Sequence, residues 1–429
     1  MIQSDIVVIG GGAAGMMAAA KAAAEGCTVT LLEKNAFCGK KINITGKGRC
    51  NMTNMKPWAE FSQHVHPVAA FLRPAFYSFS NEDTVDFFNS IGVPTVVTQG
   101  DRVFPESMRA FDVSRALASH LEDIGVNVIC GADVLGVTKS GEDAADGNVM
   151  RTSFIVDGRA EAEVIASAAV IVATGGLSYP TTGSTGFGYE IAKSFGHSIT
   201  TTFPSLTALM PSHYDRDLEG LELQNIGIIL YVDRDLIQME QGDLNFTDNG
   251  IEGPIGFRIS RKAVHALING QKVELSLDLK PALSLEKLNA RIDREIAALG
   301  SSRATLGPAK MRSLLRTLMP AELVAPFINS HPELNVSNLA GLLKEWRFRI
   351  SSYTGYERAV VTAGGVNQKE IIAKSMRSRK EEGLYFAGEV IDMDCDTGGY
   401  NLQAAFSTGA LAGRSAAQRI LNSRSGESE

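Results

Sequence analysis

The stretch Asp5-Ile-Val-Val-Ile-Gly10-Gly-Gly12-Ala-Ala-Gly15 decides how the chain begins to fold. Its short β-branched run suits a buried parallel strand, and the alanine- and methionine-rich segment from about Ala13 to Glu25 is built of strong helix formers. Gly26 stands where a left-handed helix cap is expected, and Cys27-Thr-Val-Thr-Leu-Leu-Glu33 reads as a second strand. Strand, glycine turn, helix and strand in this span make one βαβ unit.

Gly10, Gly12 and Gly15 have the spacing G-x-G-x-x-G. With 42 glycines in 429 residues that spacing arises by chance roughly 0.4 times, so its weight comes from context: a strand before it, a helix after it, and Glu33 at the end of the next strand. Gly10 permits the tight turn, Gly12 lets the backbone approach a pyrophosphate, and Gly15 lets the helix pack on the strand. The helix start at Ala13 and Ala14 offers amides and a positive dipole to phosphates. Glu33 can accept hydrogen bonds from a ribose diol; without the glycines it reads as a solvated strand-end carboxylate. This unit alone fits FAD and NAD equally.

Farther along, Thr84 to Ile91 is helix-like, Pro94 to Thr98 strand-like, Val113 to Ile124 helical and Val126 to Cys130 a strand, which continues an α/β alternation. Asp133 to Ala173 reads as a β-meander with a polar turn at Ser140 to Asn148. From about Leu206 to Leu279 the pattern is mostly β, with Gly227 to Asp233 and Lys272 to Leu279 as its clearest strands. Helical periodicity follows in Leu285 to Leu299, Lys310 to Leu318, Leu323 to Ile328 and Leu339 to Trp346. After Arg347 short strands return. Gly383 to Gly388 is a last buried strand, leading into a helix from about Asn401 to Leu421.

Composition sets bounds. Hydrophobic residues at 44% and charged residues at 21% are ordinary for a globular chain. A net charge of −7 disfavours nucleic acid held through a broad basic field, leaving a small-molecule substrate as the expectation. The apolar N-terminal run is too short and too interrupted for a signal peptide or a membrane span. Five scattered cysteines do not form a disulfide framework and fit a reducing cytoplasm. No two of them have C-x-x-C spacing, so dithiol catalysis is disfavoured and Cys50 reads as a packed thiol. Metal binding is not expected: His64 and His66 read as a solvated loop or strand face, and Asp392, Asp394 and Asp396 as an acidic turn capping the next helix.

Three longer segments narrow the cofactor. Gly39-Lys-Lys-Ile-Asn-Ile-Thr-Gly46-Lys-Gly48-Arg49-Cys50-Asn51 with Thr53-Asn54, Ala173-Thr174-Gly175-Gly-Leu-Ser-Tyr-Pro180 with Thr182 to Gly186, and Gly388-Glu389-Val-Ile-Asp392 with Thr397 to Gln403 lie in one order along the chain. In that order they resemble the signatures of the HI0933-like flavoproteins, a family that includes enzymes called aminoacetone oxidases. The resemblance implies an α/β fold: a glutathione-reductase-like FAD-binding Rossmann domain, discontinuous in sequence, with an inserted β-barrel domain and a small helical domain. The expected boundaries are 1–203 and 363–429 for the FAD domain, 204–282 with return strands 347–362 for the barrel, and 283–346 for the helices.

By position, the resemblance carries cofactor contact onto the Gly46, Gly48, Arg49, Cys50 and Asn51 loop. It does the same for Val134 beside adenine, Thr174 and Gly175 beside the nucleotide, Gly388 and Glu389 at the ribityl and phosphate groups, and Asn401, Leu402 and Gln403 at the start of a helix aimed at the flavin. Lys34 and Lys40 join this set. Arg49 also reads as a structural ion pair and Val134 as plain core. Lys47 departs from the small or amide residue usual in the family, and either adds a cation near the flavin or points to solvent. No side-chain nucleophile is required, because flavin carries the electron pair, and no catalytic residue is assigned. A second nucleotide fingerprint is absent, so NAD(P)H as a transient donor and direct reduction by substrate both stand. Tyr179, Arg349, Tyr353, Tyr356 and Tyr400 are candidates for substrate contact. The implied activity is an FAD-dependent oxidoreductase, either an amine oxidase or an NAD(P)H-dependent ene-reductase. A flavin-dependent RNA uridine reductase and a non-catalytic flavin-binding protein are the alternatives.

Overall fold

The computed structural model describes residues 2–140, 149–159 and 161–426. The chain forms two compact units, residues 1–203 with 361–429, and residues 204–360.

In the first unit, β1 (Ile6–Ile9), α1 (Ala13–Ala24) and β2 (Val29–Glu33) form the expected βαβ unit, and all four residues of β1 are buried. Helix α2 (Ala110–Asp123) leads to β3 (Asn127–Cys130). Strands β4 (Ala169–Val172) and β5 (Leu384–Phe386) complete a parallel core in the order β5-β4-β1-β2-β3. The antiparallel pieces Ile371–Ile372 and Arg377–Ser378 extend the β5 edge to seven strands. A C-terminal strand thus lies beside an N-terminal one, as a sequence-discontinuous Rossmann domain requires. The meander is the sheet of Ala132–Lys139, Met150–Val156, Glu163–Ser167 and Ile2–Gln3; from residue 141 to 148 its expected polar turn lies outside the described residues.

Helix α1 is buried on almost every side, so it shows little amphipathic contrast. It packs along α3 (Tyr400–Ser425) at very close range. A Cβ placed at Gly409 would meet the Ala14 carbonyl oxygen at 2.2 Å, and one at Gly413 would meet that of Ala18 at 2.2 Å. Two glycines four apart therefore let the helix backbones touch.

The sequence reading needs two adjustments. Thr95–Thr98 does not join the parallel sheet; it folds back on Arg102–Pro105 around Gly100 and pairs, through that strand, with Thr53–Asn54. A short hairpin closes locally, whereas a parallel partner would need a long crossover.

In the second unit the strands Leu209–Pro211, Glu222–Val232, Asp235–Thr247, Gly250–Glu252, Val273–Asp278 and Trp346–Tyr353 close into a barrel. The region read as mostly β also holds a 16-residue helix, Gly253–Ile268, which buries Ile255, Ile259, Ala263 and Val264 against the barrel. Four helices, Leu285–Ala298, Pro308–Leu318, Val324–Ser330 and Leu339–Lys344, form the helical insertion. Among the described residues no helix is long and apolar enough to cross a membrane.

Candidate functional site

Gly10, Glu33, Thr174 and Gly388 lie at or just past the C-terminal ends of β1, β2, β4 and β5, the edge at which open α/β sheets bind nucleotides. Gly10 turns with φ +103°, and a side chain there would strike the Ala173 carbonyl oxygen at 2.6 Å. A Cβ at Gly15 would lie 1.8 Å from the Gly10 carbonyl oxygen. Around Gly12, the N-cap of α1, no atom lies within 4 Å of an added Cβ, so space is open in front of the helix start. Ala13 and Ala14 begin that helix, and its first-turn amides lack intrahelical acceptors.

Glu33 is 7% exposed. Its Oε2 accepts from the Gly11 amide at 2.7 Å, and its Oε1 accepts from the Asn35 amide and the Asn35 side chain at 2.7 and 2.5 Å. A carboxylate has about four lone-pair sites, so capacity remains for a ribose hydroxyl. Asn35 carries no signal at sequence level, yet it fixes the rotamer of Glu33. Lys40 donates to Asn35 Oδ1 at 3.1 Å, and Lys34 lies 3.7 Å from Asp133 with both groups exposed. Val134 is buried within the meander sheet.

At the other end of the site the chain doubles back through Gly46, Lys47, Gly48 and Cys50, all at positive φ between 56° and 81°. Arg49 donates to the Gly46 carbonyl at 3.2 Å and lies 5.6 Å over the Phe104 ring. Cys50 is wholly buried, and burial pushes its thiol up to about 12. Asn51 Oδ1 and Thr53 Oγ1 are buried and meet no hydrogen-bond partner among the described residues. A Cβ at Gly399 would come within 2.9 Å of Asn51 Oδ1 and 2.4 Å of the Thr53 carbonyl oxygen. Orphaned buried acceptors beside the start of α3 are what a polar cofactor ring would satisfy.

The two halves are tied by contacts that short spacing could not reveal. Lys41 Nζ reaches Glu389 Oε2 at 2.9 Å, and Glu389 Oε1 accepts from the Thr362 amide at 2.8 Å. Thr362 Oγ1 accepts in turn from the amides of Leu177 and Ser178, which fixes the loop after Thr174 and Gly175. The Gly388 amide donates to Thr408 Oγ1. Asn401 brackets Cys395, accepting from its amide and donating to its carbonyl. Leu402 is half-buried. Gln403 has no exposure: Thr84 donates to its Oε1, and its Nε2 donates to the Phe79 carbonyl and Ser407. Its side chain belongs to the packing behind α3.

His64 and His66, read as a solvated face, converge instead on Asp396. His64 Nδ1 lies 2.9 Å from Oδ2 and His66 Nε2 3.2 Å from Oδ1. Burial raises the Asp396 carboxyl, but the two imidazoles outweigh it and hold it at about 2. His64 also stacks on Tyr400, ring centroids 4.3 Å apart. No group of three or more metal-ligating side chains is placed to hold a metal ion among the described residues. Cys38 and Cys130 come together beside Glu33 although far apart in sequence, and burial pushes both thiols up. Tyr179 sits in the left-handed region, φ 52° and ψ 63°; Arg349, Tyr353 and Tyr356 belong to the second unit. A separate groove of about 930 Å³, lined by Ser90, Pro94, Arg109, Arg115 and His120 among others, holds none of the candidate cofactor residues.

The chain matches the HI0933-like protein Rossmann domain over residues 4–415. It is 31% identical over 397 residues to a 3-dehydro-bile acid delta(4,6)-reductase of Clostridium scindens, spanning 91% of this chain and 93% of that protein. It is 31% identical over 417 residues to a ribosomal RNA dihydrouridine synthase of Escherichia coli, spanning 95% and 96%. In fold it is similar to a 3-ketosteroid delta1-dehydrogenase of Sterolibacterium denitrificans, with a TM-score of 0.54, 13% identity, and coverage of 98% of this chain and all of that one. The chain belongs to the HI0933-like family.

Proposed function

We propose that this chain, an FAD-dependent oxidoreductase by family and fold, reduces a carbon–carbon double bond conjugated to a carbonyl group. What carries the reading is the chemistry shared by the two relatives matched along more than nine-tenths of the chain. A delta(4,6)-reductase and a dihydrouridine synthase are both named for adding hydrogen across such a bond. Bound flavin, once reduced by a nicotinamide donor, would supply the hydride, and solvent the balancing proton.

The protein's own part is to hold and orient. The glycine turn and the start of α1 would take the pyrophosphate and Glu33 the adenosine ribose. Asn51 Oδ1, Thr53 Oγ1 and the first amides of α3 would meet polar atoms of the flavin ring. Lys41 and Thr362 hold Glu389 in one rotamer from two sides, which presets the segment that would lie beside the ribityl chain. The buried Cys50 thiol, held protonated to about pH 12, is no nucleophile at neutral pH.

Reduction of a uridine in RNA is the second reading, supported by the 31% relative that acts on ribosomal RNA; the net charge of −7 speaks for a small substrate. The test is anaerobic mixing of the FAD-loaded protein with NADH or NADPH, then with a 4-en-3-one steroid or with uridine-containing RNA. Bleaching by the nucleotide, recovery on adding the unsaturated ketone, and a product heavier by two hydrogens are expected. Bleaching by an amine alone, with peroxide on re-oxidation, would overturn the reading in favour of an amine oxidase.

A further inference from the structure

Of the five cysteines, Cys27, Cys38, Cys50 and Cys395 are buried and Cys130 is partly exposed. Cys38 and Cys130, far apart in sequence, face each other in the fold. Cys130 ends β3, where it pairs in register with Glu33, and the next amide, Gly131, donates to the Asn35 carbonyl at 2.9 Å. The chain leaving β2 is thereby laid along the end of β3. Each of the two thiols then lies in hydrogen-bonding reach of the other, and the Cys38 amide also reaches the Cys130 sulfur. On its other side Cys38 Sγ rests on the glycine turn, 2.5 Å from where a Gly11 Cβ would stand. Residues 34–39 form a strap across this end of the site. The Asn35 side chain donates to Glu33 Oε1 at 2.5 Å and to the Thr182 carbonyl at 2.9 Å, and the Gly39 amide donates to the Gly11 carbonyl at 2.8 Å. Each of these ties is a hydrogen bond, which can open and reclose.

We propose that Cys38 and Cys130 are an oxidative modification site: hydrogen peroxide joins them in a disulfide that fastens the 34–39 strap to the end of β3. The Cys130 thiolate attacks peroxide, so that an S–O bond forms, the O–O bond breaks, and the departing hydroxide takes up a proton as water. The Cys38 sulfur then attacks the sulfenic sulfur; the S–S bond forms and a second water leaves. Two thiols lose two electrons and two protons, and peroxide becomes two waters. Solvent reaches Cys130 and not Cys38, which sets the order. Burial pushes both thiols up, but the Cys38 thiol and amide oppose this at Cys130, so Cys130 is the easier to ionise and the reaction is slow. A dithiol reductant reverses it. The effect on the cofactor rests on the placement of the adenosine ribose at Glu33 proposed above; the disulfide does not.

The test treats FAD-loaded protein with hydrogen peroxide, alkylates the remaining thiols in denaturant, and maps the digest by mass spectrometry before and after dithiothreitol. A Cys38–Cys130 peptide pair, lighter by two hydrogens than the free peptides and separated by dithiothreitol, is expected, with Cys27, Cys50 and Cys395 still alkylated. Release of FAD, followed by its fluorescence, should slow about fivefold in the oxidised protein, because a strap fixed in its bound conformation has less to reorder. Neither Cys38→Ser nor Cys130→Ser should show that slowing. Peroxide that leaves the two peptides unlinked, or links either cysteine to another, would overturn the proposal. Complete linkage with unchanged FAD release would overturn the strap. Linkage in protein that takes up no FAD would leave the modification site standing and refute the cofactor placement.

Discussion

At the Gly10–Gly15 end the site is held by backbone pressed on backbone, whereas at the Asn51–Gly399 end it is held by charged pins around open polar atoms. In the first region a Cβ added at Gly10 or Gly15 would strike backbone, and the charged side chain Glu33 is already engaged by Gly11 and Asn35. In the second, two buried oxygens lack partners among the described residues, four residues in the Gly46–Cys50 loop have positive φ, and the segment entering α3 is clamped by His64 and His66 on Asp396. On the proposed reading, the tight glycine turn would cradle the phosphates of any dinucleotide, and the region of unsatisfied acceptors and strain would select what completes it.

The contrast can be broken most severely at the first end. Gly15→Ala puts a methyl 1.8 Å from the Gly10 carbonyl oxygen, where only backbone could yield. A loss of about 3 kcal/mol or more is expected, with protein recovered free of flavin. A yellow Gly15→Ala protein with an unchanged urea midpoint would refute the packing argument.

An intermediate effect tests the pins. The Asp396 carboxyl is depressed from 3.8 to about 2 in the fold, so its contribution is complete above about pH 4 and is lost as pH falls toward 2. Asp396→Asn should therefore cost about 2 kcal/mol at pH 7, with the gap to wild type closing below pH 4. Urea midpoints at pH 7, 4 and 2.5 measure it, and a gap that stays constant would remove the ionic origin.

The smallest effect sharpens the comparison. Lys47→Gly relieves a left-handed lysine, offset by the greater freedom of glycine in the unfolded chain, and should stabilise by about 0.5–1 kcal/mol. Destabilisation instead would mean that the Lys47 side chain packs, contrary to its exposure.

Much of this was legible before any coordinates. The strand, turn, helix and strand from Asp5 to Glu33 form from short-range patterns, and so does the alternation of the meander. The helix Gly253–Ile268 was hidden among strands; its Gly253-Pro254 start and the spacing Ile255, Ile259, Ala263 were the available signal. Gly409 and Gly413 are likewise visible as glycines four apart, but a spacing does not name the helix they meet.

The sequence by itself determined the family, the Rossmann domain split between the chain ends, and the elements that carry the candidate residues, because strand and helix periodicity and glycine turns are local properties. Only the tertiary structure decided that Lys41 meets Glu389, that His64 and His66 close on Asp396, that Cys38 lies by Cys130, that Gln403 turns away into packing, and that Lys47, unlike the other cations of its basic run, meets no partner among the described residues. These partners are brought together by the closure of long loops, and burial and neighbouring charge, which set their roles, do not exist until the chain has folded.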